Sequence, residues 1–307
     1  MKKSLILLLK ITLVTVLTSN LIVYGIQSFA SNVYTGQAYG KVNHFLAVKD
    51  TCNLFVLGSS RANHHIDPTV LTSKSFNMGM DGRRFFFNEA LFYLLPDSST
   101  VLFHIDASEF YDDAESMDRL VPHFGKSKVL DKSLISREKI SLLERILGSL
   151  RYNNTLLALI GNKFFPGYNT IEYHGYDPIY PSKMDSLNLV RVDLLNEESD
   201  SIIREPVNQA VIEGLIRIKD HLRSVGTTCV FFTSPLLHGC HVSDSIFMDS
   251  IFSDLELIYI DYSNDMVGTE LKNWKDGTHL SHSGAESFMQ KVFSSITKPT
   301  NISADGF

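Results

Sequence analysis

Residues 53–61 read Asn-Leu-Phe-Val-Leu-Gly-Ser-Ser-Arg, an apolar run that ends in a glycine and two serines. The run is short and lacks polar alternation, which is typical of a central parallel strand covered by helices on both faces. The carboxyl ends of parallel strands face the crevice in which ligands bind, so a hydroxyl group just after the strand is presented to that crevice. Ser60 is therefore a candidate nucleophile, although a serine at this place also serves to cap the following helix.

Four more apolar runs of the same kind follow along the chain, with helical patterns between them. The runs cover residues 75–78, 101–105, 229–232 and 257–260. Residues 84–95 are a helix candidate, and residues 206–224 repeat apolar side chains at helical spacing up to Gly226. Alternating strands and helices predict an α/β fold, namely a doubly wound, flavodoxin-like parallel sheet flanked by helices.

The N-terminus carries an export pattern, because Lys2 and Lys3 precede an apolar stretch that runs to about Ala30. We interpret residues 1–30 as a signal peptide or an uncleaved signal anchor. Residues 11–30 are long enough to span a bilayer with the lysines on the cytoplasmic side, which favours the anchor. Either alternative predicts an extracytoplasmic protein, membrane-anchored or secreted, in the cell envelope.

The domain organisation follows from the same patterns. The chain has 307 residues, of which 44% are hydrophobic and 20% charged, as in ordinary globular proteins. We predict a stalk or a first short helix over residues 31–50, one α/β domain over 51–298 and a tail over 299–307. Residues 112–205 are predicted to be an insertion, because no strand run occurs there. Tyr, Pro, Gly and Asn accumulate around 164–184, where aromatic side chains either pin the insertion to the domain or stack on sugars.

Charge and cysteine content exclude several classes of protein. The formal net charge of -6 and the pI near 6.0 argue against a nucleic-acid partner, which would call for clustered Lys and Arg. Three cysteines are too few for a disulfide-framed scaffold. Cys229 and Cys240 are either unpaired or joined across a strand-to-loop turn, and the sequence leaves both alternatives open.

Several histidines lie near the motif segments and raise the question of a metal site. They are His64, His65, His104 and His282. His64 and His65 are adjacent, so their side chains point apart in an extended segment, and no His-Glu-x-x-His or similar ligand spacing occurs. We therefore expect no metal and no cofactor, with the histidines lining a pocket or facing solvent.

The second chemical motif lies near the C-terminus, where residues 274–285 read Trp-Lys-Asp-Gly-Thr-His-Leu-Ser-His-Ser-Gly-Ala. A serine nucleophile needs a base that removes its proton and a carboxylate that holds the base in the right tautomer. Asp276 stands three residues before His279, so a tight turn can place both side chains on one side. An isolated Asp-x-x-His is more often a solvated loop, and the pair gains its meaning from Ser60.

The combination of a strand followed by Gly-x-Ser and a later Asp-Gly-x-His-Leu-Ser resembles the SGNH (GDSL-like) hydrolase family over roughly residues 53–296. The resemblance implies that Ser60 is the nucleophile, His279 the base and Asp276 its orienting acid. Residues 76–82, Phe-Asn-Met-Gly-Met-Asp-Gly, resemble the second block of the family. That block implies Gly79 as a backbone donor to the oxyanion hole.

The N–H of Ser60 is the other implied oxyanion donor. Two departures from the family pattern accompany the match. Gly58-Ser59-Ser60 stands where Gly-Asp-Ser is usual, a variation similar to envelope relatives that include proteins of glycan O-acetylation. The third block should supply an asparagine after the third strand, but Asp106 stands in that region.

An ionised Asp106 would repel a developing oxyanion, so either another donor such as Asn63 or Arg61 serves, or the oxyanion hole is weaker. Asn77 completes the candidate pocket.

These observations predict an extracytoplasmic serine esterase or O-acyltransferase. Its expected substrate is an ester-linked acyl group, acetyl above all, on an envelope or exported glycan or on a small ester, and its N-terminal segment is expected to contact the membrane. The alternative is a non-catalytic glycan-binding or polysaccharide-assembly protein of the same fold, which the missing asparagine favours. A third interpretation is an anchored structural protein with an incidental motif match.

Overall fold

The computed structural model describes residues 2–111, 117–194 and 207–297, with the backbone alone for 191–194 and 293–297. Five strands form one sheet: β1 Leu54–Leu57, β2 Ser75–Asn77, β3 Thr100–His104, β4 Thr228–Thr233 and β5 Tyr259–Asp261. Every pairing is parallel, in the order β2-β1-β3-β4-β5. This order is that of flavodoxin-like doubly wound sheets, so the predicted fold class is confirmed.

Eleven α-helices are found in the described part of the chain. They are α1 Lys2–Ala30, α2 Lys41–Val48, α3 Ser60–His65, α4 Phe85–Phe92, α5 Lys128–Ser136, α6 Leu142–Ile146, α7 Leu156–Phe164, α8 Lys183–Leu194, α9 Gln209–Val225, α10 Val242–Asp254 and α11 His282–Thr297. Short turns of other helix types include Gly36–Gly40, Ala107–Phe110 and Gly148–Tyr152.

Both faces of the sheet are covered by helices, as its uninterrupted apolar runs require. Phe55 and Leu57 of β1 pack on one side with residues of α2, α4 and α9. Leu54 and Val56 pack on the other side, where α3 and α11 lie over the sheet. The first strand is therefore buried on both faces, which is the environment that its sequence predicts.

Helix α9 shows how the local sequence sets an element. The side chain of Asn208 caps its start by accepting a hydrogen bond from the N–H of Ala210. Val211, Leu215 and Ile218 recur at helical spacing and are buried against the sheet. The helix ends at Gly226, whose φ of +67° is readily adopted by glycine.

Residues 31–50 pack into the folded domain rather than stand apart from it as a stalk. Of the two alternatives given for this segment, the structure has the short helix, α2. Val42 and Phe45 are fully buried in the core on the α4 side of the sheet. The packed structure thus begins before Thr51. A helix as short as α2 is stabilised mainly by its packing against the core and not by its own hydrogen bonds.

The insertion contributes α5 to α8, and no strand is found within its described residues 117–194. Its aromatic loop is partly anchored, since Tyr176 is buried and its hydroxyl lies 3.1 Å from Nδ1 of His282. Tyr168 donates a hydrogen bond of 2.7 Å to the carbonyl of Tyr176. Phe165 and Tyr180 are largely exposed. The ends of the predicted insertion and the predicted tail at 299–307 lie outside the described residues.

Helix α1 is 29 residues long and apolar enough to cross a membrane, as a signal segment would also be. Most of its side chains up to Thr18 are exposed, and Ser19, Val23 and Ala30 are buried. The three cysteines are free thiols, so the alternative of a bridge between Cys229 and Cys240 is not realised.

We predict that Leu215→Ala destabilises the fold by about 2–5 kcal/mol, because the side chain is fully buried between α9 and the sheet. The neighbouring Ile216 is 42% exposed and serves as a matched control, for which the loss should stay below about 1 kcal/mol. Urea unfolding of the full chain in mild detergent, followed by the fluorescence of buried Trp274, measures both. Equal losses would contradict the placement of α9.

Candidate active site

The structure brings the three predicted catalytic side chains together. Nε2 of His279 lies 2.8 Å from Oγ of Ser60. Nδ1 of His279 lies 3.0 Å from each carboxylate oxygen of Asp276. With Nδ1–H donating to the carboxylate, Nε2 presents its lone pair to the serine hydroxyl. This is the geometry of a serine, a general base and its orienting acid.

Ser60 is placed by the turn that follows β1. Gly58 has a φ of +140°, and a Cβ at this position would come within 2.6 Å of Cβ of His104, so a side chain does not fit there. Asn88 fixes the turn by accepting a hydrogen bond of 2.9 Å from the N–H of Gly58. Ser59 is extended and Ser60 is the first residue of α3, which aims its hydroxyl at the carboxyl edge of the sheet.

The turn before α11 holds the base and its acid. Oδ1 of Asp276 accepts hydrogen bonds of 2.9 Å from the N–H groups of Thr278 and His279. Partial burial raises the pKa of Asp276, but the hydrogen bonds from His279 and Thr278 outweigh this and hold it below its usual range. Asp276 is therefore ionised at neutral pH and stabilises positive charge on His279.

A second histidine, His65 of α3, holds this turn in place. Nε2 of His65 accepts a hydrogen bond of 2.9 Å from the N–H of Leu280, so the proton of the ring is on Nδ1, which lies 3.0 Å from Oγ of Ser234. Burial, and then the charge of Arg61, lower the pKa of His65 far below its usual value. A neutral His65 thus connects α3 to the turn that carries His279.

Ser60 and His279 line a cavity of about 370 Å³ at the carboxyl ends of β1, β3, β4 and β5. Its lining combines these two residues with charged, hydroxyl and apolar groups. The lining residues are Ser59, Ser60, Arg61, Gly82, Arg83, Arg84, Asp106, Ala107, Ser108, Thr233, Leu236, Cys240, Asp244, Ser245, Met248, Tyr259, Asp261, Thr278 and His279. The volume lies within the range of small-molecule sites, about 300–1,000 Å³.

Arg61 and Asp106 both line this cavity and form an ion pair. Arg61 is buried and its Nη1 also donates a hydrogen bond of 3.0 Å to the carbonyl of Ser234. The guanidinium therefore compensates the carboxylate that stands near the expected asparagine position. The repulsion that the Asp106 carboxylate would exert on a developing oxyanion is reduced accordingly.

Two other predicted pocket residues are structural, and neither lines the cavity. Asn77 is fully buried, and its Nδ2 donates to the carbonyls of Ala62 and Ile66, which ties the end of β2 to α3 and the residue after it. Asn63 is also fully buried, and its Nδ2 donates a hydrogen bond of 3.0 Å to Oδ1 of Asp81. The structure places both asparagines outside the residues that line the cavity, because their buried amides hydrogen-bond to backbone carbonyls and to Asp81 instead.

Gly79 also lies behind α3 rather than in the cavity. Its N–H donates a hydrogen bond of 2.7 Å to Oδ1 of Asn77, so this donor is engaged. A Cβ at Gly79 would come within 2.5 Å of the backbone nitrogen of Asn63, so the glycine permits close packing against α3. The glycine of this loop that does line the cavity is Gly82. The segment 76–82 had been identified from the sequence, but only the path of the chain shows which of its glycines reaches the cavity.

A buried lysine supports the same helix, and nothing in the sequence motifs pointed to it. Nζ of Lys41 donates hydrogen bonds to Oδ1 of Asn63, at 2.6 Å, and to the carbonyl of Gly79. Burial lowers the pKa of Lys41 to about 7, against the opposing charges of Asp177 and Asp81. The residue belongs to α2, so the N-terminal segment directly supports the helix of the nucleophile.

The remaining histidines have structural surroundings. Nε2 of His64 lies 3.0 Å from Asp81 and its Nδ1 lies 2.6 Å from the carbonyl of Asp177. Burial lowers the pKa of His64, but the hydrogen bond and charge of Asp81 give a net rise. His104 is buried, and burial lowers its pKa far below the usual value. Within the described residues, no group of three or more His, Cys, Asp or Glu side chains suits a metal ion.

Comparisons with known proteins assign no function to this site. No protein-family model matches the chain, and no curated protein matches it. Among solved structures, the chain is similar to that of a "putative acylhydrolase" from Bacteroides fragilis NCTC 9343. The similarity covers 79% of this chain and 86% of that chain at 10% identity, with a TM-score of 0.34. Similarity at this level carries no argument about activity.

We predict that Lys41 makes stability depend on pH above neutrality. Its pKa is about 7 in the folded chain and about 10.4 in the unfolded chain. Between these values the unfolded chain holds more protons on this residue, so its contribution to the free energy of unfolding rises with pH and is constant below about pH 7.

The measurement compares the wild type with Lys41→Met at about pH 7 and about pH 9, which cancels the titration of groups common to both. The stability of the wild type relative to the variant should increase at the higher pH. An unchanged difference would contradict a buried, readily deprotonated Lys41.

Proposed function

We propose that the protein is a serine esterase or O-acyltransferase of the SGNH type that acts outside the cytoplasm on ester-linked acyl groups. The observation that carries the proposal is the hydrogen-bonded chain from Ser60 through His279 to Asp276. A solvated Asp-x-x-His loop has no reason to place its imidazole 2.8 Å from a serine hydroxyl that is 219 positions away. The chemistry that such a chain performs is acyl transfer through the serine.

In the first step, Nε2 of His279 takes the proton of Ser60 while Oγ bonds to the ester carbonyl carbon. Asp276 stabilises the imidazolium that forms. His279 then returns the proton to the leaving alkoxide oxygen as the carbon–oxygen bond breaks, which leaves the acyl group on Ser60. Water or a sugar hydroxyl attacks the acyl-enzyme with His279 again as base, giving hydrolysis or transfer.

The oxyanion is expected to be stabilised by the backbone N–H groups of Ser60 and Gly82. Both residues line the cavity, whereas the N–H of Gly79 is held by Asn77. Within the described residues, no hydrogen bond is made by the N–H of Gly82. Backbone donors that are already oriented contribute a hundredfold or more in rate, on the order of 3 kcal/mol each.

The proposed acceptor or donor is a glycan of the envelope or an exported glycan, with acetyl as the acyl group. The cavity carries hydroxyl and carboxylate groups beyond the triad, among them Ser245, Tyr259 and Asp261. Such groups hydrogen-bond the hydroxyls of a sugar. Helix α1 is proposed to act as an uncleaved anchor that keeps the domain at the extracytoplasmic membrane surface.

A second candidate is a non-catalytic glycan-binding or assembly protein. It is favoured by Asp106, which supplies an acceptor where the SGNH pattern places an amide donor. Against it, the triad is intact in geometry as well as in residue type. The Arg61 partner also reduces the repulsion on which this candidate depends.

We predict that a fluorophosphonate probe labels the full chain in detergent and that Ser60→Ala and His279→Ala abolish the labelling. The probe reports a serine whose hydroxyl is activated by a neighbouring base. The signal is read by gel fluorescence, and the labelled residue is identified by mass spectrometry.

Ser245→Ala is the matched control, because Ser245 lines the same cavity but donates its hydrogen bond to Asp261 and not to the triad. It should label like the wild type. Folded wild-type protein without labelling would contradict the esterase proposal and favour the glycan-binding candidate.

A further inference from the structure

The insertion packs directly on the second half of α1. Oγ of Ser149 lies 2.9 Å from Oγ of Ser19, and the N–H of Ser149 donates a hydrogen bond of 3.1 Å to the same oxygen. Further along α1, Val23 and Ala30 are buried in a small core that includes Tyr152 of the insertion. The end of α1 is therefore part of the folded domain and does not stand above it.

The length of α1 decides where this contact lies relative to a bilayer. A span counted from Ile11 would end at Ala30. Counted from Ser4, with Lys10 inside the span, residues 4–18 form fifteen residues of helix before Ser19, about 22 Å at 1.5 Å per residue. The hydrocarbon core of a bilayer is about 30 Å thick, so about 8 Å more of α1 must lie inside it. That length extends to about Val23. Tyr24 follows and is 71% exposed, which suits the aromatic belt of a membrane interface.

The part of α1 that completes the span is thus the part that the insertion touches. A groove between the two is lined by Val14, Thr15, Thr18, Ser19 and Ile22 on one side and by Leu147 and Ser149 on the other. Leu147 follows α6 directly. If α1 crosses a bilayer, α6 and the turn after it must lie level with the outer leaflet.

The insertion carries exposed apolar side chains in this region. They are Leu142, Leu143 and Ile146 on α6, Leu156, Leu157, Ile160 and Phe164 on α7, and Phe165 just after it. Leu157, Ile160 and Phe164 share one face of α7 at helical spacing, and Leu157 is 83% exposed. Groups of exposed apolar side chains on successive helices of this kind mark an interaction site.

We propose that this surface, the exposed apolar side chains of α6 and α7, inserts shallowly into the extracytoplasmic leaflet beside α1. The inference rests on the proposed role of α1 as an anchor and not on the proposed chemistry. Arg145 and Lys163 are exposed on the same two helices and limit the depth to the headgroup boundary, about 5–10 Å. The domain would then be fixed to the membrane at two places, so its orientation would be fixed as well.

The test is depth-dependent quenching by lipids brominated on their acyl chains. The full chain is reconstituted into phosphatidylcholine vesicles, with and without brominated lipid, as four tryptophan variants. Leu142→Trp and Leu157→Trp probe the proposed surface, and Val242→Trp on α10 is the control, since Val242 is 74% exposed and α10 packs elsewhere. The native Trp274 is buried and gives a constant background.

We expect brominated lipid to quench the added emission of Leu142→Trp and Leu157→Trp at least twofold, and that of Val242→Trp little. Leu8→Trp on α1 reports insertion of the anchor itself. Quenching at Leu8 without quenching at 142 and 157 would overturn the proposal. So would absent quenching at Leu8, which removes its premise, or blue-shifted but unquenched emission at 157, which would mean that a second copy of the chain covers the surface. Fluorophosphonate labelling of the same samples reports the active site independently.

Discussion

The hydrogen bond between Oγ of Ser60 and Nε2 of His279 is the interaction on which the rest of the site depends. It joins the turn after the first strand to the turn before the last helix. It therefore forms only when folding of the sheet has brought these two turns to the same edge. Parallel strands make this possible because their carboxyl ends lie side by side. His65 strengthens the arrangement by binding the backbone of the His279 turn from within α3.

The sheet and the triad were predictable from the sequence because their signals are local. Five short apolar runs mark buried parallel strands, and Gly58 together with the serine pair marks a tight turn at a strand end. Asp276 and His279 are three residues apart, so their own turn suffices to pair them. The resemblance to the SGNH pattern then indicated which distant serine the pair would meet.

The surroundings of the triad were not predictable, because they depend on contacts between distant segments. Asn63 and Asn77 looked like pocket residues, but burial of α3 against neighbouring loops turns both amides inward. The choice between Gly79 and Gly82 depends on the path of a loop, which residue type alone does not specify. Lys41 carries no motif, and its role emerges only because α2 packs behind the nucleophile helix.

The N-terminal segment contacts both the candidate site and the insertion. α2 supplies the buried lysine behind α3, and the end of α1 packs against the insertion. The chain between α1 and the first strand is therefore folded against the core and does not form a flexible stalk. If α1 acts as the proposed anchor, this packing gives the cavity a defined direction relative to the membrane.

The measurement that tests the central claim most directly is the intact mass of the full chain after brief exposure to p-nitrophenyl acetate and acid quenching. An acyl-enzyme mechanism predicts a protein species heavier by one acetyl group, located on the peptide that contains Ser60 and absent from Asp276→Asn at the same exposure time. Acetylation spread over surface lysines with none on Ser60, in a folded protein, would contradict the account.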